Sequence, residues 1–169
     1  KIISISLRKR PVPKLNFKLK LVNYQRVDAE LKNLKYKKIL GILSKLDITK
    51  FDIGLYKNQK LLESGTSNLL FVKNNKIYSP RRDIYKGITF KFFYKKFKIK
   101  YDDIFIKKLN NYDEILLVGS GKGVVSVSEI ENNAWKRKSV RIYKKLFKTY
   151  NKEIFNSWSI LSSILNTSF

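Results

Sequence analysis

Leu15-Asn-Phe-Lys-Leu-Lys-Leu21 alternates apolar and polar residues without a break, which predicts a strand buried on one face. A second strand is expected over residues 2–7, with Pro11-Val-Pro13 as the loop between them. Asp28 is a fair N-cap for a helix running to about Leu46, because Leu31, Leu34, Leu40, Leu43 and Leu46 recur at helical spacing. Residues 51–56 and 60–63 read as a hairpin about Asn58-Gln59, and 69–72 and 77–78 as another about Asn74-Asn75. Gly87 to about Phe97 reads as helical. Strands are expected over 114–118 and 124–130, around Gly119-Ser-Gly-Lys-Gly123. Ser139 caps a last helix with Ile142, Leu146, Tyr150 and Ile154 in one stripe. Residues 155–169 are Ser-rich, expected as a packed terminal turn or a frayed end. The pattern is mixed α and β, and 169 residues suffice for one domain with a core.

Composition narrows the chemistry. The chain has no His and no Cys, which removes Ser-His-Asp and Cys-His catalysis, thiolate chemistry and an ordinary zinc site. No metal is expected. Lysine, carboxylates, hydroxyls and a borrowed cofactor remain for demanding reactions. The lack of Cys suits a reducing compartment, either the cytoplasm or an organelle interior. No apolar run is long enough to span a bilayer. The net charge of +24 invites a nucleic-acid reading, but 30 Lys stand against only 7 Arg and are spread along the chain. Arg is the preferred reader of bases and phosphates, and the bias toward Lys, Asn, Ile, Phe and Tyr fits an AT-rich genome. Nucleic acid is therefore not expected as the main partner.

One stretch stands out. Glu63-Ser-Gly-Thr-Ser-Asn68 places a carboxylate, a Gly and small hydroxyl and amide residues at a strand end, just before the apolar Leu69-Leu-Phe-Val72. That composition suits a rigid turn presenting one acid to something bound. Tyr78-Ser-Pro80 and Lys86-Gly-Ile-Thr89 follow it. Leu31-Lys-Asn-Leu-Lys-Tyr36 lies upstream and Asp113-Glu-Ile-Leu-Leu-Val-Gly-Ser-Gly-Lys-Gly-Val-Val-Ser-Val127 downstream. In this order and spacing, from about Leu15 to Tyr150, the chain resembles the large domain of the fold-type IV pyridoxal-phosphate enzymes, the class IV aminotransferase family. Within that family, Gly-Val-Val-x-Val at 123–127 is most like the aminodeoxychorismate lyases.

The resemblance implies an α+β fold of the D-amino-acid aminotransferase-like type and pyridoxal 5'-phosphate as cofactor. Lys32 matches the lysine that joins the cofactor aldehyde, and Glu63 the acid that pairs with the pyridine nitrogen. Gly87, Ile88 and Thr89, opening a helix, and Gly119, Ser120 and Gly121, following a strand, match the phosphate-binding turns. Thr66, Ser67 and Asn68 would line the ring. Departures fall at Lys35, where relatives usually carry Asn, at Phe90, where many carry Arg, and near Ser126, where a Pro is absent. The resemblance also implies a homodimer and a smaller domain, which either precedes Lys1 or has been lost from this chain. Residues 1–14 are then the strand and loop leading from it, and 15–169 the cofactor-binding domain. The expected activity is 4-amino-4-deoxychorismate lyase, acting on an anionic, amino-acid-like substrate. The alternatives are a class IV amino-acid transaminase, branched-chain or D-amino acid, and a non-catalytic basic derivative built into a larger assembly.

Overall fold

The computed structural model describes residues 12–31 and 35–166, with side chains to residue 157. The expected strand at 2–7 lies outside the described residues. Strand β1 (Lys18–Asn23) is followed by a short helix α1 (Lys37–Leu43) and the hairpin β2 (Phe51–Lys57) and β3 (Lys60–Ser64). Next come β4 (Asn68–Lys73), β5 (Lys76–Pro80), helix α2 (Ile88–Lys96), β6 (Ile99–Asp102) and β7 (Ile104–Phe105). A 3-10 turn (Ile106–Asn111), β8 (Glu114–Gly119), β9 (Gly123–Ser126), β10 (Glu129–Ile130) and the long helix α3 (Arg141–Asn166) complete the order.

The strands form two sheets of five, ordered β10-β1-β2-β3-β7 and β6-β5-β4-β8-β9. Strand periodicity places successive side chains on opposite faces, and β4 and β8 use both. Leu69, Phe71, Ile115 and Leu117 join Phe17, Leu19 and Trp135 in one core. Leu70, Val72, Leu116 and Val118 join Phe90 and Phe93 of α2 and Ile142 and Leu146 of α3 in another. A third, smaller cluster packs Ile39 and Leu43 of α1 on Ile53 and Leu55 of β2. Both predicted hairpins form. Their two-residue turns, Asn58-Gln59 and Asn74-Asn75, all have positive φ, between 48° and 62°, as a primed turn between antiparallel strands requires.

Three expectations fail for physical reasons. Of the helix predicted from Asp28 to Leu46, the described residues are helical only over α1, since Asp28 takes a φ of 51° and Leu31 lies in a bend. Of the predicted leucine stripe only Leu43 is fully buried among the described residues. Ile39 takes the buried place, and Leu40 is 59% exposed. The strand predicted over 124–130 is broken. Val127 N–H still donates to Ile115 O in one sheet, while Ser128 N–H donates to Phe17 O in the other, so the chain changes sheets there. The tail from 155 continues α3 to Asn166 rather than forming a packed turn or fraying from Phe155. Ser139 does cap α3, through Oγ to Arg141 N–H at 3.1 Å. The buried Glu114 carboxylate adds bonds from the N–H groups of Ile142 and Tyr143, the placement the positive helix N-terminus favours.

Candidate functional site

The end of β3 and the start of β4 bring the 63–68 turn to the mouth of a cavity of about 340 Å³. Glu63 lines it and is 5% exposed. A carboxylate so buried needs partners, and Arg26, in the loop after β1, provides a bidentate pair. Arg26 Nε donates to Glu63 Oε1 at 2.5 Å, and Nη2 to Oε2 at 2.9 Å. Tyr85 N–H adds a bond to Oε2 at 3.2 Å. Burial pushes the Glu63 carboxyl above its usual 4.5, and the Arg26 bonds and charge pull against that rise. A guanidinium cannot give up its proton, so Arg26 keeps a positive charge against Glu63.

Asn68 ties the turn to the next segment. Its Nδ2 donates to Tyr85 O at 2.6 Å, and its Oδ1 accepts from Gly87 N–H at 3.1 Å. A Cβ on Gly87 would meet that Oδ1 at 3.3 Å. Gly87 is the N-cap of α2 and no side chain caps the helix, so the amides of Ile88 and Thr89 face the cavity end without intrahelical partners. Gly119 approaches from β8: a Cβ there would lie 2.7 Å from Ser67 Oγ.

Of the residues singled out in the sequence, Glu63, Thr66, Ser67, Asn68, Gly87, Ile88, Thr89, Gly119 and Ser120 all border this one cavity. Gly121 does not, and a Cβ there would touch nothing within 4 Å. Lys32 lies outside the described residues. The chain on both sides of it is held by Arg26, whose Nη2 donates to Ala29 O at 2.8 Å and Nη1 to Tyr36 Oη at 2.9 Å. Sequence reasoning missed Arg26, Tyr36 and Tyr85 as cavity residues. Among the described residues no group of three or more His, Cys, Asp or Glu is arranged to hold a metal ion, and no helix is long and apolar enough to cross a membrane.

The sequence model described as amino-transferase class IV matches residues 3–130. The chain belongs to the class IV aminotransferase family. No curated protein matches it with significance. Solved structures of this family share the fold. A Legionella pneumophila protein assigned as a 4-amino-4-deoxychorismate lyase is 22% identical with a TM-score of 0.69, over 89% of this chain and 59% of its own. A Thermoproteus uzoniensis branched-chain aminotransferase, solved with norvaline, is 17% identical with a TM-score of 0.71, over 83% and 52%. A Brucella abortus aminotransferase bound to the cofactor PLP is 17% identical with a TM-score of 0.69, over 90% and 57%. The chain thus spans between about half and three fifths of the length of these relatives.

The class IV family is pyridoxal-phosphate dependent, and the cavity fits that group. Glu63 Oε1 accepts one bond, from Arg26, and a carboxylate oxygen can accept a second, which suits a group with a protonated ring nitrogen. The amides that open α2 and the Gly119-Ser120 turn suit a phosphate. Leu40, Val118, Tyr36 and Tyr85 supply walls for a flat ring.

Proposed function

We propose that this chain is the pyridoxal-phosphate-binding domain of a 4-amino-4-deoxychorismate lyase, which releases 4-aminobenzoate and pyruvate for folate biosynthesis. The observation that carries the reading is the buried Glu63 carboxylate, fixed by Arg26, in a cavity that also holds uncapped helix amides. The run Gly123-Val-Val-Ser-Val127 favours the lyase within the family. Bound pyridoxal phosphate supplies an electron sink for the carbanion formed beside the substrate amine. Glu63 would hold a negative charge near the ring nitrogen and so keep it protonated. Thr66, Ser67 and Asn68 would border the ring, and the amides of Gly87 to Thr89 and of Gly119 to Ser120 would hold the phosphate. Lys32 would be the residue that holds the cofactor aldehyde and that moves the proton of the carbon beside the substrate amine. A surface with a net charge of +24 draws in a substrate bearing two carboxylates.

The working protein is a homodimer in the cytoplasm or an organelle interior, and a smaller domain of the kind the family carries would complete the substrate pocket. The test is an assay of the full-length protein for 4-aminobenzoate and pyruvate released in equal amounts from 4-amino-4-deoxychorismate. Amination of branched-chain 2-oxo acids without that release would favour the second reading, a class IV transaminase, which the likeness to the Thermoproteus structure supports.

A further inference from the structure

Behind the cavity lies a second buried ion pair. Lys122, in the β8–β9 turn, places Nζ 2.9 Å from Asp52 Oδ2, and the two side chains are 7% and 0% exposed. Asp52 belongs to β2 of one sheet, whereas the Lys122 turn joins two strands of the other. The same Oδ2 accepts from Thr66 Oγ1 at 2.6 Å and lies 3.3 Å from Ser64 Oγ, while Oδ1 accepts from Ile53 N–H at 2.7 Å. Ser64 Oγ in turn accepts from the N–H groups of Thr66 and Ser67. One carboxylate therefore anchors the turn after β3 and, through Lys122, the turn after β8. Lys122 does not border the cofactor cavity; its Nζ lies 5.1 Å from the centre of the Phe17 ring.

We propose that the Asp52–Lys122 pair is a positioning device for the phosphate-binding end of the cavity. It holds the Gly119–Gly123 turn at a fixed distance from the Ser64–Ser67 turn. This inference rests on the reading that the cavity takes pyridoxal phosphate. The turn needs such an anchor. It carries Gly119, Gly121 and Gly123, and residues 120 and 121 are exposed, so ordering it costs backbone entropy. The two turns already touch, since Gly119 has no room for a Cβ beside Ser67. A phosphate bound by backbone amides depends on their aim, and hydrogen bonds weaken steeply with misalignment. An anchor present before binding removes an ordering cost that the ligand would otherwise bear.

The experiment compares the full-length protein with Lys122→Met and with the double variant Asp52→Asn/Lys122→Met. Removing Lys122 alone strands a buried carboxylate and destabilises the fold, whereas removing both charges leaves none unpaired. Each protein is titrated with pyridoxal 5'-phosphate and with pyridoxal, which lacks the phosphate, and its urea unfolding is followed without ligand. The expected result is that the double variant recovers stability toward wild type, yet binds the phosphate ester at least about tenfold more weakly, on the scale of misplaced contacts. Its affinity for pyridoxal should stay within about twofold of wild type. Broadening of the bound cofactor's 31P resonance in the variant should accompany the loss. Unchanged affinity for the phosphate ester in the double variant overturns the inference, as does an equal loss for both ligands. A wild-type protein that binds neither compound overturns the cofactor reading itself, and the inference with it.

Discussion

The Arg26–Glu63 and Asp52–Lys122 pairs are both buried and both meet the turn after β3, but they face different ways. Glu63 borders the cavity, and its Oε1 has room for a further donor. Asp52 lies behind the turn, with its Oδ2 already surrounded by Thr66, Ser64 and Lys122. The first pair presents a charge; the second consumes one. Burial alone does not separate an acid that acts on a ligand from an acid that shapes the backbone around it. Remaining acceptor capacity and the direction it faces do.

The largest expected effect comes from breaking the first pair on its structural side. Arg26→Met leaves Glu63 buried without its cation and frees the backbone at Ala29 and the Tyr36 hydroxyl. Loss of one partner of a buried pair costs about 3–5 kcal/mol, which urea unfolding at neutral pH should show. The sign of its pH dependence is fixed. The Glu63 carboxyl is already pushed above 4.5 by burial, and losing Arg26 pushes it further. An acid whose folded value is raised favours the fold fully below its unfolded value, and that contribution is lost as pH rises through the folded value. The defect of Arg26→Met should therefore shrink as pH is lowered toward 4.5. A defect that grows on acidification would mean that Glu63 is not the group left stranded.

Glu63→Gln breaks the same pair on its functional side. Shape is kept and charge is lost, so turnover should fall about a hundredfold or more, the scale of one lost charge-stabilising contact. Affinity for the cofactor should change far less. Wild-type turnover would reduce Glu63 to a structural acid like Asp52. A smaller effect contrasts two neighbouring glycines. Gly119→Ala forces Ser67 aside, with Cβ 2.7 Å from its Oγ and 3.4 Å from Thr66 O, and should cost about 1–3 kcal/mol as overpacking. Gly121→Ala meets nothing within 4 Å and should stay within about 0.5 kcal/mol of wild type in the same melts. Equal losses would show that both glycines serve the turn and neither serves the cavity.

The parts of this site that could be read from the sequence are those built by neighbours in the chain. The 63–68 turn, the paired Asn residues of both hairpins and the Gly87 start of α2 each depend on residue types a few positions apart. Arg26 and Lys122 could not be read so. Their partners lie 37 and 70 residues away, and a single chain gives no local sign that two distant charges will be buried together. The helix expected from Asp28 failed for a related reason. Its leucine spacing satisfies a helix, but Arg26 donates hydrogen bonds to Ala29 O and Tyr36 Oη at the cavity wall, and that tertiary demand overrides local periodicity. The break between Ser126 and Glu129 likewise reflects two sheets that share one extended segment, which strand propensity along the chain cannot reveal.

Whether pyridoxal phosphate is carried on Lys32 is tested most directly by reductive trapping. Full-length protein loaded with pyridoxal 5'-phosphate should show a visible absorption band that borohydride bleaches. Peptide mapping should then find the reduced cofactor fixed to the peptide containing Lys32, with the label absent from Lys32→Ala. Label on a different lysine, or no band and no label in the wild-type protein, would contradict the account.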